Sequence, residues 1–206
     1  SEAIDVTYNL RRCIHAAECV NRLHEVFDTQ KRPWIQPGNA AADAVVEVIS
    51  LCPSGALHTE RHDGGAAEAV PVENVIVVHQ DSYYQFIGDV EIQGSNVAIE
   101  QEVRAALCRC GLSENKPFCD NSHEAAGFKD YGAVGDAGEG VEFTGGPLEV
   151  KSAPDGPLLL SGNFTIVASS GRRAWTGTRS ALCRCGHSKN KPFCDGAHLK
   201  AGFKAA

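Results

Sequence analysis

One sixteen-residue pattern occurs twice. "CRCGLSENKPFCDNSH" runs from Cys108 to His123, and "CRCGHSKNKPFCDGAH" from Cys183 to His198, an offset of 75. Each copy has the spacing C-x-C-x8-C-x3-H. "ALCRCG" and "NKPFCD" recur letter for letter, and "AGFK" follows each copy at 126–129 and 201–204. Internal repetition of this kind constrains architecture before any other feature does. Upstream of each copy the match is one of pattern. In "YYQFIGDVEI", Tyr84, Phe86, Gly88, Val90 and Ile92 share one face; in "LLLSGNFTI", Leu158, Leu160, Gly162, Phe164 and Ile166 do the same. Strict alternation predicts half-buried strands. Further strands are expected at Val72–His79, Val97–Val103, Pro147–Lys151 and Arg173–Thr178. Each repeat is therefore a β segment that feeds a cysteine-rich loop.

Thiolate sulfur and imidazole nitrogen are ligands for zinc and for iron–sulfur clusters. The nine cysteines fall into three sets of three: Cys13, Cys19 and Cys52; Cys108, Cys110 and Cys119; Cys183, Cys185 and Cys194. An odd count without a visible secretory leader argues for metal ligation in a reducing compartment over a disulfide framework. The expected setting is cytoplasmic, with an organelle matrix as the alternative. The longest strongly apolar run, Val75–Val78, falls far short of the ~20 residues that a membrane span needs. The formal net charge of -7 is the wrong sign for a general nucleic-acid binder and suits docking to a basic partner.

Inside each motif, Pro117 and Pro192 stiffen the loop before the third cysteine. Asp120 and Asp195 are placed to N-cap a short helix beside His123 and His198. Asn121 and Gly196 stand where the backbone is expected to turn with positive φ. Arg109, Lys116, Arg184, Lys189 and Lys191 either compensate an anionic centre, dock a partner, or are ordinary solvated charge. His187, opposite Leu112, reads as a surface residue. "GAVGDAGEG" (Gly132–Gly140) and "RHDGGAAEA" (Arg61–Ala69) read as linkers. The rival reading is a zinc-binding RNA-binding module whose metal is held by three cysteines and one histidine. Structural zinc sites favour C-x2–4-C pairs over C-x-C, and each motif offers only Phe118 or Phe193 for stacking.

The two stretches resemble the signature of the CDGSH iron–sulfur domains, the NEET family: C-x-C-x2-[ST]-x3-P-x-C-D-G-[STA]-H. The second copy matches throughout, and the first departs only with Asn121 for Gly. The resemblance implies a [2Fe–2S] cluster per motif. Cys108, Cys110, Cys119 and His123 would hold the first, and Cys183, Cys185, Cys194 and His198 the second. It also implies a two-fold β assembly, which this chain would complete as a monomeric internal pseudo-dimer. A single imidazole in place of a thiolate raises the potential above that of an all-cysteine cluster, by less than the two of a Rieske centre. It also makes the cluster sensitive to acid, because an unperturbed imidazole protonates near pH ~6.5.

Residues 1–66 form a separate unit. "NAAADAVVEVISLC" (Asn39–Cys52) has helical apolar spacing with Asn39 as the expected N-cap. "CIHAAEC" (Cys13–Cys19) and "CPSGAL" (Cys52–Leu57) are similar to divergent single-cluster ferredoxin domains, with Ala16 where a middle cysteine would stand. Cys13, Cys19 and Cys52 could hold a [3Fe–4S] cluster, or a [4Fe–4S] cluster with a non-cysteine fourth ligand. His15 is adjacent, and an empty interaction domain is the alternative.

The expected fold class is α+β: a small ferredoxin-like domain (1–66), then two CDGSH repeats (67–135 and 136–206) that form a β-rich pseudo-two-fold unit. The expected work is electron transfer, cluster transfer or redox sensing with redox or cluster-acceptor proteins. Neither nucleic acid nor membrane is expected as a partner. No nucleophile elbow, Walker loop or dinucleotide fingerprint points to an enzyme.

Overall fold

The computed structural model describes residues 1–94, 96–135 and 137–205. It is a mixture of helix and strand with mostly β content, divided into two compact units, Ser1–Ala69 and Val70–Ala206.

In the first unit, β1 (Ile4–Tyr8), α1 (Glu18–Arg22), α2 (Ala42–Ser50) and β2 (Leu57–Arg61) follow in order. β1 and β2 pair antiparallel, Ile4 opposite Arg61 and Tyr8 opposite Leu57. The apolar stripe of α2, Val45, Val48 and Ile49, is buried with Ile4, Phe27 and Leu57. The helix does not begin at Asn39 as its spacing suggested. Pro37–Asn39 form a short 3-10 turn, and Ala41 is the N-cap without a side-chain bond. Asn39 is engaged elsewhere: its Nδ2 donates to the Glu25 carbonyl at 2.8 Å and to Gln36 Oε1 at 2.9 Å.

The second unit contains β3 (Val75–Val78), β4 (Tyr84–Gly94), β5 (Val97–Leu107), α3 (Ser122–Ala125), β6 (Leu148–Ser152), β7 (Leu158–Val167), β8 (Arg173–Leu182) and α4 (Ala197–Lys200). The expected strands are present, and the last strand of each repeat runs on to the residue before the metal loop. β4 pairs antiparallel with β5 and β3, and parallel with β6. β7 pairs antiparallel with β8 and β6, and parallel with β3. Each short strand thus lies between the long strand of its own repeat and the long strand of the other. The alternating faces of β4 and β7 meet in one core with Phe86, Val90, Ile92, Leu160, Phe164 and Ile166.

Two features tie the repeats together. Buried Asn74 donates to the carbonyls of Gly146 at 2.7 Å and Asn163 at 2.9 Å, and accepts the Asp89 amide at 2.9 Å. The stretch expected as a linker is also part of the sheet unit. Val134 is 2% exposed, Gly138 bridges to Thr176, and Glu139 N donates to the Thr176 carbonyl at 2.7 Å. Its backbone is drawn in because β8 would otherwise leave donors and acceptors unpaired along that edge. Asp136, within the same stretch, lies outside the described residues.

Candidate metal centres

β5 delivers Cys108 directly into the first loop. Cys108 N donates to the Pro117 carbonyl at 2.8 Å, and Cys119 N donates to the Ala106 carbonyl at 2.9 Å. The loop is therefore a closed hairpin that brings the third cysteine back beside the first. β8 does the same for the second loop, with Cys183 N to Pro192 O at 2.8 Å and Cys194 N to Ala181 O at 2.8 Å. Ser113 Oγ and Ser188 Oγ staple the loops from inside by donating to the Phe118 and Phe193 carbonyls, at 2.7 Å and 2.6 Å.

Asn121 and Gly196 both have positive φ, 67° and 79°, and each is the N-cap of a one-turn helix that carries the histidine. Asp120 and Asp195 sit one residue earlier than expected for caps. Their Oδ1 atoms accept the amides of Ser122 and Ala197, at 3.0 Å in both. Backbone amides also approach sulfur: Leu112 N and Asn121 N reach the sulfurs of Cys110 and Cys119 at 3.4 Å. His187 N and Gly196 N reach those of Cys185 and Cys194 at 3.5 Å. Such bonds favour thiolate over thiol.

The first site gathers its four side chains in two pairs. Cys108 Sγ and Cys110 Sγ are 3.8 Å apart, and Cys119 Sγ and His123 Nδ1 are 3.5 Å apart. The other ring nitrogen, Nε2, lies 2.9 Å from Ser82 Oγ. The Cys108 thiol bonded to Cys110 drives the Cys110 thiol down to about 7, and the same bond pushes Cys108 well up. Burial pushes Cys119 up to about 12 and holds the His123 imidazole below its ordinary value. A cation that binds here must expel those protons.

The second site repeats the first pair, with Cys183 Sγ and Cys185 Sγ at 3.6 Å. Burial pushes Cys185 up to about 11. His198 is placed differently from His123. Its Nδ1 faces the Asp155 carbonyl at 2.8 Å, and Gly156 stands where Ser82 supplies a hydroxyl in the first repeat. His123, Cys108, Cys110 and Cys119 are buried, whereas Cys194 and His198 are half-buried. The second site is the more open of the two.

The sites abut. A Cβ on Gly111 would lie 2.6 Å from the Cys185 carbonyl oxygen, and one on Gly186 would lie 2.5 Å from that of Cys110. Only glycine permits this approach, and both residues have positive φ. Buried Tyr84, which pattern reasoning treated as a core residue alone, also crosses between them. Its hydroxyl lies 2.9 Å from the Cys183 carbonyl and 3.1 Å from that of Pro192, and the Arg109 guanidinium sits 5.6 Å from its ring centre. Arg109 and Arg184, two of the cations with an open solvated reading, are each 1% exposed.

The first site shows both ligand pairs that a two-iron cluster needs, and the second shows the Cys183–Cys185 pair, with His198 Nδ1 turned to the Asp155 carbonyl. With metal–thiolate bonds of ~2.3 Å and metal–imidazole bonds of ~2.1 Å, two ligands on one tetrahedral ion lie about 3.6–3.8 Å apart. The three pairs, at 3.8, 3.5 and 3.6 Å, lie close to that spacing. Among the described residues, no three His, Cys, Asp or Glu side chains gather closely enough for a single metal ion. A structural zinc site would need four such ligands around one point, whereas each iron of a [2Fe–2S] centre takes only two from the protein.

In the first unit, Cys13, Cys19 and Cys52 line one cavity of about 30 Å³ with Tyr8, Trp34 and Ala16, and exposed His15 lies on its wall. Burial raises the Tyr8 phenol well above its ordinary value, followed by its hydrogen bond to Cys13 and the charges of all three cysteines. The loop winds round the cavity with His15 and Ala17 at φ of 53° and 62°. By the measure in which a water needs roughly 10–15 Å³ this space is small, and Cys13, His15 and Cys19 also line an adjoining cavity of about 470 Å³. All three cysteines nevertheless line the smaller pocket.

Comparison with known proteins agrees with this chemistry. Residues 84–124 and 155–199 match the family described as iron-binding zinc finger, CDGSH type. Residues 1–62 match the family described as divergent 4Fe-4S mono-cluster. "Uncharacterized protein YjdI" of Escherichia coli strain K12 is 43% identical over 56 residues, 27% of this chain and 74% of that protein. The protein of the same name from Escherichia coli O157:H7 matches to the same extent. Fold, sites and matches together define an iron–sulfur protein, and the zinc-dependent RNA-binding alternative is not favoured. The chain carries two matches to the CDGSH iron-binding domain behind a match to a divergent 4Fe-4S mono-cluster domain. Among the described residues no helix is long and apolar enough to cross a membrane.

Proposed function

We propose that this chain is a tandem NEET-type protein with one [2Fe–2S] cluster at each repeated site, and that it carries single electrons between protein partners. Cys108, Cys110, Cys119 and His123 hold the first cluster; Cys183, Cys185, Cys194 and His198 hold the second. The observation that carries this reading is the ligand pairing: sulfur–sulfur and sulfur–nitrogen separations of 3.5–3.8 Å, two donors to an iron. The boundaries that go with it are 1–66, 67–135 and 136–206. The strand exchange between the repeats supports a pseudo-two-fold unit that is complete in one chain.

A cluster at each site supplies one reversible redox equivalent, and the chain's own residues set its terms. The amides of Leu112, Asn121, His187 and Gly196 lower the charge on sulfur. The Ser82 hydroxyl holds the ring of His123, and the Asp155 carbonyl holds that of His198. The reciprocal contact of Gly111 with Cys185 and Gly186 with Cys110 keeps the two centres close, which favours electron sharing between them. Partners are redox proteins that complement an acidic surface, with no role for nucleic acid or membrane. Cys13, Cys19 and Cys52 are the candidate ligands of a third, [3Fe–4S] or [4Fe–4S], centre. One observation favours cluster transfer as a second reading: Cys194 and His198 are half-buried, which leaves the second site open to an acceptor.

Anaerobic purification followed by iron, sulfide and zinc analysis and a dithionite titration tests the proposal. A red-brown protein that takes up and returns electrons reversibly is expected. A colourless protein with two zinc ions per chain would overturn it.

A further inference from the structure

The two arginines of the C-R-C motifs are equivalent in sequence, in burial and in two of their three anchor points. Arg109 Nε donates to the Ser82 carbonyl at 2.9 Å, and its Nη2 to the His79 carbonyl at 2.8 Å. Arg184 Nε donates to the Gly156 carbonyl at 2.7 Å, and its Nη2 to the Ala153 carbonyl at 2.6 Å. Each guanidinium thereby pins the loop that faces the motif's histidine. They part at Nη1. Arg109 Nη1 is paired with the carboxylate of Asp130. Arg184 Nη1 is buried and has no hydrogen-bond partner among the described residues.

The cause is one residue. The repeat offset of 75 carries Asp130 onto Ala205. The backbones there correspond: Asp130 N donates to Asp81 Oδ1 at 2.7 Å, and Ala205 N donates to Asp155 Oδ1 at 2.9 Å. Neighbouring charges correspond too, with Lys129 on Asp81 at 3.0 Å and Lys204 on Asp155 at 2.7 Å. Only the carboxylate is missing. Other charge differences beside the ligands point the same way, since Glu114, Glu124 and Ala125 are replaced by Lys189, Leu199 and Lys200. Those positions are exposed in both repeats, so solvent screens them; the Arg184 charge is not screened.

A buried guanidinium without a carboxylate is costly unless an anion stands nearby. Arg184 lies between Cys183 and Cys185, two thiols that would be anionic ligands. We infer that Arg184 is the charge-compensating residue of the second site, and that its guanidinium, with no paired carboxylate among the described residues, makes the second centre the first to be reduced. In the first site the Asp130 carboxylate pairs with Arg109 and also lies 4.0 Å from Lys191 of the second motif, and no carboxylate stands at the equivalent position beside Arg184. The step would be a one-electron transfer from the SO2 radical anion, formed when the S–S bond of added dithionite dissociates; the radical anion is oxidised to SO2, the second centre gains the electron, and no bond in the protein forms or breaks. The inference rests on the reading of a [2Fe–2S] cluster at each repeated site. Failure of that reading would appear separately, as missing iron, sulfide and visible absorption before any titration begins.

The experiment is a redox titration of the cluster-loaded full chain, followed by visible absorption and electron paramagnetic resonance. Two one-electron steps are expected for the repeated sites, at least tenfold apart in equilibrium constant, which for one electron is about 59 mV. His198→Cys should lower the first of these steps and leave the other in place, while His123→Cys should lower only the second. Ala205→Asp should lower the first step toward the other, and Asp130→Ala should raise the later one. A residue that served packing alone would change the melting temperature without moving a potential. Coincident steps, a first electron that responds to His123→Cys, or an Ala205→Asp chain with unchanged potentials would each overturn the inference. Ala205→Asp keeps the test decisive if Asp130→Ala fails to fold.

Discussion

The two repeats carry the same ligand spacing in different surroundings. The first site is closed: four buried donors, a serine hydroxyl on the histidine, and an arginine paired with Asp130. The second is open along Cys194 and His198, holds its histidine through a backbone carbonyl, and leaves Arg184 Nη1 without a hydrogen-bond partner among the described residues. Spacing alone therefore determines what can be bound, while residues outside the motifs determine how tightly and at what potential. Tyr84 makes the point from the other side. It belongs to the first repeat by sequence, supports the second site by hydrogen bonding, and is matched at the equivalent position by Leu158, which has no hydroxyl to offer.

The largest effect that separates the sites is loss of a ligand. Cys110→Ser and Cys185→Ser should each remove one cluster and leave the other, so that the repeated sites hold half their iron and half their visible absorbance. If one substitution empties both sites, they are not independent centres.

Acid should separate them next. Burial lowers the His123 imidazole below its ordinary value, so its neutral form is favoured in the folded chain. Protonation of such a group costs stability as pH falls through about 6.5 and below. Neutral His123 thus resists protons to lower pH than an unperturbed imidazole would. Stepwise acidification followed by absorption should bleach the open second site before the closed first one. Using His123→Cys and His198→Cys chains to assign each phase, the reverse order would show that exposure does not control release.

A smaller effect is expected from Tyr84→Phe. Removal of the hydroxyl leaves the Cys183 and Pro192 carbonyls without that donor in a buried place, at a cost of about 1–3 kcal/mol. Denaturant unfolding should report the loss, and cluster release should accelerate at the second site rather than the first. Equal acceleration at both sites would make Tyr84 a core residue only. Smallest is Asn121→Gly, which copies the second repeat's turn into the first. Asn already holds positive φ there, so stability should change by no more than about 1 kcal/mol. A larger change would mean that the Asn121 side chain, and not its backbone, distinguishes the sites.

Much of this is legible in the sequence. Alternation along β4 and β7 named their buried faces, and the double motif named the eight candidate ligands. The partner of each strand was not legible, because alternation fixes which face is buried and carries no information about pairing from one repeat to the other. For the same reason the glycine-rich stretch at 132–140 resembled a spacer, although Val134 packs in the core. The start of α2 was placed too early, at Asn39, because a capping residue type does not reveal what else its side chain can reach. The Asp130 and Ala205 difference lay in plain view as "GFKD" against "GFKA", yet only the buried Nη1 atom of Arg184 gives it weight. In the first unit the three cysteines were visible, while the Tyr8 hydroxyl that meets them lies on a strand that no alternation signalled.

The measurement that bears most directly on the account is iron and acid-labile sulfide per chain, made on anaerobically purified protein in which Cys13, Cys19 and Cys52 are replaced by serine. Two pair-ligated [2Fe–2S] centres predict about four irons and four sulfides, with visible charge-transfer bands. Two metal ions per chain without sulfide would mean a mononuclear site at each motif and would contradict the account.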